Sequence, residues 1–481
     1  MPACDTLIQN VEILDGSGNE PKTGAIAIAG GRIEAVGDLT DYAAAETFDG
    51  RGHALAPGFI DVHTHDDLYV IQAPEMLPKL SQGVTTVIVG NCGISAAPVR
   101  LPRGLADPMN LLGEEEAFRY PTFAEYASAI AAAKPTVNVA ALVGHTALRN
   151  NHMDRLDRAA NASEIAAMQE QLRNALDQGA MGLSTGLAYL SANSASLEEI
   201  QSLAELLPET GAVYTTHLRS ETDQVLSAME EAFRVGRKAR VPVIVSHLKC
   251  AGIDNWGRSG EVLESLESAR TQQAVCCDCY PYAASSSTLD LRQVDERVTI
   301  TVTWSKPHPE IAGQSLANIA ENWRVSQLEA ARRLRPAGAI YHCISEEDMR
   351  RILRHPAAMI GSDGLPNDPL PHPRLWGTFP RVLGLYSREQ GLFSLAEAIR
   401  KMTSLPAETF GLRARGWIRK GYAADLVLFD ADVVSDLASF AHPVRPSVGI
   451  EAVWVNGILS YRDGRSTGKR GGGFLARQRP S

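Results

Sequence analysis

Six side chains of the types that bind metal ions stand at the ends of strand-like segments, far apart in the chain. In chain order they are His63, His65, Cys92, His217, His247 and Asp363. Apolar runs precede them, as Val84–Val89 precedes Gly90-Asn91-Cys92-Gly93. Imidazole, thiolate and carboxylate are ligand types that zinc accepts. The pattern predicts a metal site, and hydrolysis is the chemistry that it favours.

The elements that must position these groups are predicted from the apolar periodicity. Near-continuously apolar strands alternate with amphipathic helices, which is typical of a parallel sheet covered on both faces. Eight such units predict an α/β fold with a TIM-like (β/α)8 barrel, in which catalytic groups gather at the C-terminal ends of the strands. The candidate strands end near Val62, Val89, Val143, Thr185, His217, His247, Tyr280 and Gly361.

The two ends of the chain predict a second, smaller unit. Residues 1–57 and 412–481 contain short strand-like segments and hairpin turns such as Gly30-Gly31 and Asn456-Gly457. Neither end is long enough for a core of its own, so we expect both to pair in one small β-sandwich. The barrel then spans residues 58–411. Its longest connection, an insertion at about residues 284–345 between the seventh and eighth strands, is expected to form a lid.

Composition limits the class of protein. The 481 residues carry a formal net charge of −10 and include 7 cysteines. A negatively charged chain is a poor general binder of nucleic acid. No apolar stretch approaches the ~20 residues that cross a bilayer, and no secretory signal pattern is present. An odd cysteine count without a signal favours a reducing compartment. We expect a cytoplasmic protein with a small-molecule substrate and no membrane partner; the oligomeric state stays open.

Several motifs together resemble one protein family. Pro57-Gly58-Phe59-Ile60-Asp61-Val62-His63-Thr64-His65 is similar to the first-strand motif of the amidohydrolase superfamily. The Cys92 motif narrows the resemblance to the N-acyl-D-amino-acid deacylase (D-aminoacylase) branch, since hydantoinase-like relatives have a carboxylated lysine in the site and no equivalent cysteine. Other motifs that resemble this branch are Ser184-Thr185-Gly186-Leu187, His217-Leu218-Arg219-Ser220-Glu221, Ser246-His247-Leu248-Lys249 and Tyr280-Pro281-Tyr282.

The resemblance implies two metal positions of unequal strength. The tight position would hold one zinc ion through Cys92, His217 and His247. The second position, weaker and in some states empty, would consist of His63, His65 and Asp363.

The resemblance also implies zinc-dependent hydrolysis of a linear amide. A bound zinc ion would polarise the amide carbonyl and lower the pKa of a water toward ~7. Asp363 would accept a proton from that water and pass it to the departing amine. Taken alone, Ser362-Asp363-Gly364 also suits an ordinary turn.

Four residues are implied to bind the substrate. Lys249, Tyr280 and Arg374 would bind the α-carboxylate of the product amino acid, and Tyr189 would help to orient the carbonyl. Lys249 lies two residues past His247, and so on the same side if the strand continues. Without the family, each of these residues would also suit a solvated surface cation or a half-buried ring.

Arg292 is the residue that distinguishes the possible substrates. It lies in the insertion, after Ser285-Ser286-Ser287-Thr288-Leu289-Asp290-Leu291. If it reaches the pocket, it would pair with a carboxylate on the substrate side chain, which favours N-acyl-D-glutamate over N-acyl-D-aspartate. If Arg292 is instead an exposed surface arginine, an apolar N-acyl-D-amino acid remains the alternative.

Two further functions stay open. Another amidohydrolase reaction, such as hydrolysis of a cyclic amide, would use the same fold, although Cys92 and the pair Lys249 and Arg374 argue against it. A catalytically inactive barrel that acts as an assembly scaffold is the alternative outside enzymes. Such proteins tend to lose ligands, and here all six candidates are present.

Overall fold

Eight parallel strands form a barrel at the centre of the molecule, as seen in a computed structural model that describes residues 3–478. Strands one to three form one hydrogen-bonded ladder, and strands three to eight form another. The third strand belongs to both ladders, because it continues after a break of one residue. The strands are Phe59–Asp61, Val84–Val89, Asn138–Ala141 with its continuation Val143–Gly144, Gly182–Gly186, Val213–His217, Val243–Val245, Val275–Cys279 and Ala358–Ile360.

The barrel closes between its first and eighth strands just beyond their C-terminal ends. Thr64 and Gly364 form a parallel bridge, and the N–H of Asp363 donates to the carbonyl of His63 at 2.6 Å. The same contacts that complete the barrel therefore bring two predicted ligands side by side.

A buried lysine reinforces this closure. Nζ of Lys79 lies 2.7 Å from Asp61 Oδ2, 2.8 Å from Ser362 Oγ and 2.9 Å from Thr64 Oγ1. It also lies 3.4 Å from Asp66 Oδ2, and all five side chains are almost completely buried. Because isolated buried charges are costly, this fully partnered network ties the end of the first strand to the end of the eighth.

Helices cover the outside of the barrel, and apolar side chains fill its interior. The covering helices are Phe123–Ala133, Ala162–Asp177, Leu197–Ala204, Val225–Ala239, Ser259–Arg270, Glu346–Arg354 and Leu395–Met402. Two of them begin with capping boxes, formed by Thr122 with Glu125 and by Asn161 with Glu164. The interior layer includes Ile60, Ile88, Ala140, Met181, Val213, Ile244 and Met359. Among residues 3–478, no helix is both long and apolar enough to span a membrane.

Both ends of the chain contribute to one nine-stranded sheet beside the barrel. Strand Ala54–Pro57 pairs antiparallel with Leu426–Phe429, which joins the two halves. The sheet curls over a shared core that includes Val11, Ile26, Leu428 and Trp454. The other strands are Ala3–Ile13, Lys22–Ala29, Arg32–Gly37, Ala43–Asp49, Ile450–Val455, Ile458–Arg462 and Arg465–Ser466. The predicted fold, a barrel with a small β-unit built from both termini, is confirmed.

The connection between the seventh and eighth barrel strands folds into a structure of its own. Its antiparallel strands Ser285–Thr288, Ala337–Tyr341 and Ile300–Ser305 form a three-stranded sheet in that order. Helices Leu316–Trp323 and Gln327–Leu334 accompany it. Residues 285–287 and the segment that follows them line the cavity at the barrel mouth, which is where a lid was predicted.

Candidate active site

The six predicted ligands converge at the C-terminal mouth of the barrel. Their donor atoms form two groups, each with all atoms within 4.8 Å of one another. Sγ of Cys92 lies 3.2 Å from His63 Nε2 and 3.3 Å from His247 Nε2. Unlike the prediction, in which Cys92 served only one position, its thiol belongs to both groups. The groups are His63, His65, Cys92 and Asp363, and Cys92, His217 and His247.

Unusual backbone angles turn three of these side chains toward the shared centre. Cys92, His247 and Asp363 have φ of 52°, 35° and 50°, in a region that residues other than glycine seldom occupy. Beside Cys92, Gly90 also has positive φ, and a Cβ atom there would lie 2.3 Å from the carbonyl oxygen of Leu142. Strain of this kind is concentrated at functional sites, where the surrounding structure must hold it.

The electrostatics of the cluster fit a metal ion. Burial by itself opposes ionisation of the Cys92 thiol, but His63 and His247 outweigh it and hold its pKa well below the ordinary value. Burial likewise opposes the charge of Asp363, yet Arg374 and other cationic neighbours hold the pKa of its carboxyl well below the usual range. The buried Nδ1 atom of His217 has no hydrogen-bond partner within residues 3–478. A thiolate, carboxylate and imidazoles in one place make a donor set that suits zinc.

Lys249 lies beside His247, but not for the predicted reason. The sixth barrel strand ends at Val245, and the positive φ of His247 turns the chain, so the strand does not continue to Lys249. Nζ of Lys249 nevertheless lies 2.9 Å from His247 Nδ1 and 2.6 Å from Glu221 Oε1. Its ammonium group is therefore already bound within the site.

Arg374 and Tyr280 are buried beside Asp363 with several donors left free. Nη2 of Arg374 lies 2.9 Å from Asp363 Oδ2 and donates to the carbonyl of Ser286. The guanidinium carbon lies 4.7 Å from the centre of the Tyr280 ring. In the part of the chain that the structure describes, Nε and Nη1 of Arg374 and the hydroxyl of Tyr280 have no partner. Burial raises the pKa of Tyr280, which keeps its hydroxyl protonated and able to donate.

Tyr189 and Arg292 both line the open cavity above the cluster. The ring of Tyr189 lies 4.9 Å from that of His217. The side chain of Arg292 is 49% exposed, and its Nε lies 3.0 Å from Asp290 Oδ2. Its Nη2 also donates to the carbonyl of Ala188 at 2.9 Å. Arg292 thus reaches the cavity and is also solvent-exposed and paired, which combines the two alternatives drawn from the sequence.

Sequence comparison identifies the family. Residues 46–295 and 306–461 match the profile described as the Amidohydrolase family. The chain belongs to this family. The resemblance drawn from the motifs is confirmed, and the mouth of this amidohydrolase barrel is where its candidate ligands meet.

Three relatives are similar to this amidohydrolase over almost its whole length. The N-acyl-D-aspartate deacylase of Alcaligenes xylosoxydans xylosoxydans is 47% identical, covering 98% of this chain and 95% of the relative. The N-acyl-D-glutamate deacylase of that organism is 45% identical, covering 96% of each. The crystal structure of N-acyl-D-glutamate deacylase from Bordetella bronchiseptica, complexed with zinc and a phosphonate inhibitor that mimics the tetrahedral intermediate, is 43% identical with a TM-score of 0.95, covering 99% of this chain and 100% of that one.

Two acidic residues of the amidohydrolase site were missed in the sequence. Glu221 binds Lys249 and lies 3.0 Å from His247 Nδ1. Burial opposes its charge, but Lys249 and the neighbouring histidines lower the pKa of its carboxyl. Asp278 contacts His63 from the seventh strand. Strand alternation could have found Asp278, since it lies two residues before Tyr280 and so on the same face.

Proposed function

We propose that this chain hydrolyses the amide bond of N-acyl-D-amino acids in a zinc-dependent reaction, with N-acyl-D-glutamate preferred. The products are a carboxylate and the free D-amino acid. The convergence of Cys92, His217 and His247 beside Asp363 carries the proposal. The named relatives, which are deacylases and match end to end, supply the substrate class and the D configuration.

The metal would be held by residues of the cluster described above. The thiolate of Cys92 with His217 and His247 would form the tight position, and His63, His65 and Asp363 the weaker one. When bound, zinc supplies Lewis acidity, which polarises a carbonyl oxygen and makes a water molecule more acidic.

Asp363 is proposed to move the proton. Its Oδ1 lies 3.2 Å from His65 Nε2, and its Oδ2 is held by Arg374. The salt bridge keeps the carboxyl ionised, which is the state that accepts a proton from the attacking water. As the C–N bond breaks, the same carboxyl gives that proton to the departing nitrogen, because a neutral amine leaves far more readily than an amide anion.

Arg374 and Tyr280 are proposed to bind the α-carboxylate. Each unpaired buried donor costs about 1–3 kcal/mol, and a carboxylate in this place would satisfy two or three of them at once. Lys249 would join them only by exchanging one of its present partners, Glu221 or His247, for the substrate. We therefore propose that Lys249 contributes charge to this subsite, while Arg374 supplies the directional hydrogen bonds.

Arg292 is proposed to select the substrate side chain, and Tyr189 to orient the scissile carbonyl. Asp290 and the carbonyl of Ala188 engage Nε and Nη2 of Arg292, which leaves its Nη1 group for a substrate carboxylate. The chain is almost equally identical to the aspartate and the glutamate deacylase, so sequence identity does not distinguish the two substrates. The proposed preference for D-glutamate therefore rests on the position of Arg292 in the cavity lining.

The test is a metal analysis combined with rates on a substrate panel. Purified protein should contain zinc and hydrolyse N-acetyl-D-glutamate faster than N-acetyl-D-aspartate and N-acetyl-D-leucine, with the L-isomers inert. A clear preference for N-acetyl-D-leucine would end the acidic assignment. Hydantoin turnover without turnover of any acyl amino acid would favour the cyclic-amide alternative. Absence of both metal and hydrolysis would favour the scaffold.

We also propose a reducing, cytoplasmic location. All seven cysteines of the chain are free thiols. Disulfides form readily in oxidising compartments and are rare in the cytosol. Fractionation of the source cells, followed by detection of the hydrolase activity in the soluble cytoplasmic extract, checks this assignment.

A further inference from the structure

Asp278 contacts one ligand from each of the two metal-compatible groups. It lies on the seventh barrel strand and is 3% exposed. Its Oδ2 lies 3.2 Å from Nδ1 of His63, and its Oδ1 accepts a hydrogen bond from the backbone N–H of His247 at 2.9 Å. Both oxygens are therefore occupied, by two residues that are 184 positions apart in the chain and share Cys92 as a neighbour.

The contact with His63 determines which ring nitrogen is free. A carboxylate oxygen accepts hydrogen bonds, so this contact favours the form of His63 that carries a hydrogen on Nδ1. In the neutral ring that binds a metal, the lone pair then belongs to Nε2, which lies 3.2 Å from Cys92 Sγ and 3.5 Å from Asp363 Oδ1. A carboxylate behind a histidine fixes the tautomer and the ring orientation in this way at many metal sites.

The contact with His247 acts on the backbone instead of the ring. His247 has φ of 35°, and its N–H is held by the Asp278 side chain while the N–H of Leu248 is held by the Asp278 carbonyl at 2.8 Å. These two bonds fix the turn that follows the sixth strand. The turn directs Nε2 of His247 to within 3.3 Å of Cys92 Sγ.

We propose that Asp278 is a positioning residue for both metal positions, through the tautomer of His63 in one and the backbone turn of His247 in the other. The inference rests on the proposed zinc dependence. One carboxylate thus has a separate effect on each position. The effect on His247 needs one acceptor oxygen, whereas the effect on His63 also needs an acceptor, and not a donor, facing Nδ1.

Replacement of Asp278 by asparagine separates the two effects. The amide oxygen can still accept from the His247 N–H, but the amide nitrogen would donate to His63 Nδ1 and move the ring hydrogen to Nε2. Zinc competition titrations of Asp278→Asn should therefore show unchanged affinity at the tight position and a loss of about 10- to 100-fold at the weak one. Asp278→Ala should weaken both. Asp348→Asn is the matched control, since Asp348 is equally buried but binds Gly257 and Ser259.

The outcomes are distinct from those of the proposed function, because no substrate is involved. Equal zinc affinities at the weak position for the wild type and Asp278→Asn, or a single zinc ion in the wild type, would overturn the inference and leave hydrolysis intact. In a His63→Ala background, Asp278→Asn should cause no further loss at the weak position. If a variant does not fold, NMR spectra of wild-type protein labelled with ¹⁵N-histidine still test the proposal, because they report which ring nitrogen of His63 carries the hydrogen. In zinc-loaded wild-type protein, a hydrogen on Nε2 of His63, identified by the absence of its signal in His63→Ala, would contradict the proposal.

Discussion

The two ends of the cavity are built in different ways. At the metal end, the donor groups come from the ends of barrel strands, and His63, Cys92 and Asp363 are buried and held by several contacts each. At the outer end, Arg292 comes from the insertion, is half exposed, and is held mainly by Asp290. The difference supports the proposal that the barrel holds the reacting groups, whereas the choice of substrate depends on a few residues of the insertion that can change without disturbing the barrel.

The largest expected effect is at the metal end. Asp363→Asn keeps an oxygen near His65 but cannot accept a proton, so kcat should fall by about 10³ or more for every substrate while the zinc content is kept. Asp436→Asn is the control, because Asp436 is also a mostly buried partner of an arginine, Arg381, but lies outside the cluster. Turnover of Asp363→Asn close to that of the wild type would refute the proton-transfer role.

The second-largest effect is expected for the buried Lys79 beside the metal end, and it concerns the free energy of unfolding instead of kcat. Lys79→Met leaves Asp61 and Asp66 without their cation, which should lower the free energy of unfolding by about 3–5 kcal/mol in urea titrations. Lys401→Met should cost less, since Lys401 is equally buried but its closest contacts are neutral carbonyls. Equal losses of unfolding free energy in the two variants would show that the Asp61–Lys79 network does not stabilise the closure between the first and eighth barrel strands.

The outer end should give a smaller and more selective effect. Arg292→Leu should lower kcat/KM for N-acetyl-D-glutamate by about 10- to 100-fold, the value of one charge-assisted contact, with the rate on N-acetyl-D-leucine unchanged. Arg297→Leu is the matched control and should leave both rates unchanged, because Arg297 pairs with Asp295 as Arg292 pairs with Asp290. An equal fall in kcat/KM for both substrates in Arg292→Leu would contradict the assignment of side-chain selection to the outer end of the cavity.

The sequence predicts the metal end well because its geometry follows from topology. Once His63, Cys92, His217 and His247 are assigned to the ends of parallel barrel strands, the fold must bring them to one mouth. Periodicity also identified all eight strands, with boundaries that differ from the structure by one or two residues in places, such as Tyr280, which follows a strand ending at Cys279.

The partners of those groups could not be predicted in the same way. Glu221 and Lys249 lie beyond the strands, where the chain turns, so strand alternation no longer determines their direction. Arg374 follows Pro373 directly, begins the helix Arg374–Arg381 and is completely buried. Such placements depend on tertiary packing between distant segments, which no local pattern contains.

Zinc K-edge X-ray absorption on protein loaded with one equivalent of zinc tests most directly whether Cys92, His217 and His247 bind one zinc ion. We expect one sulfur neighbour at about 2.3 Å together with nitrogen or oxygen neighbours, and loss of the sulfur contribution in Cys92→Ala. A zinc environment of nitrogen and oxygen alone in the wild-type protein would contradict this assignment.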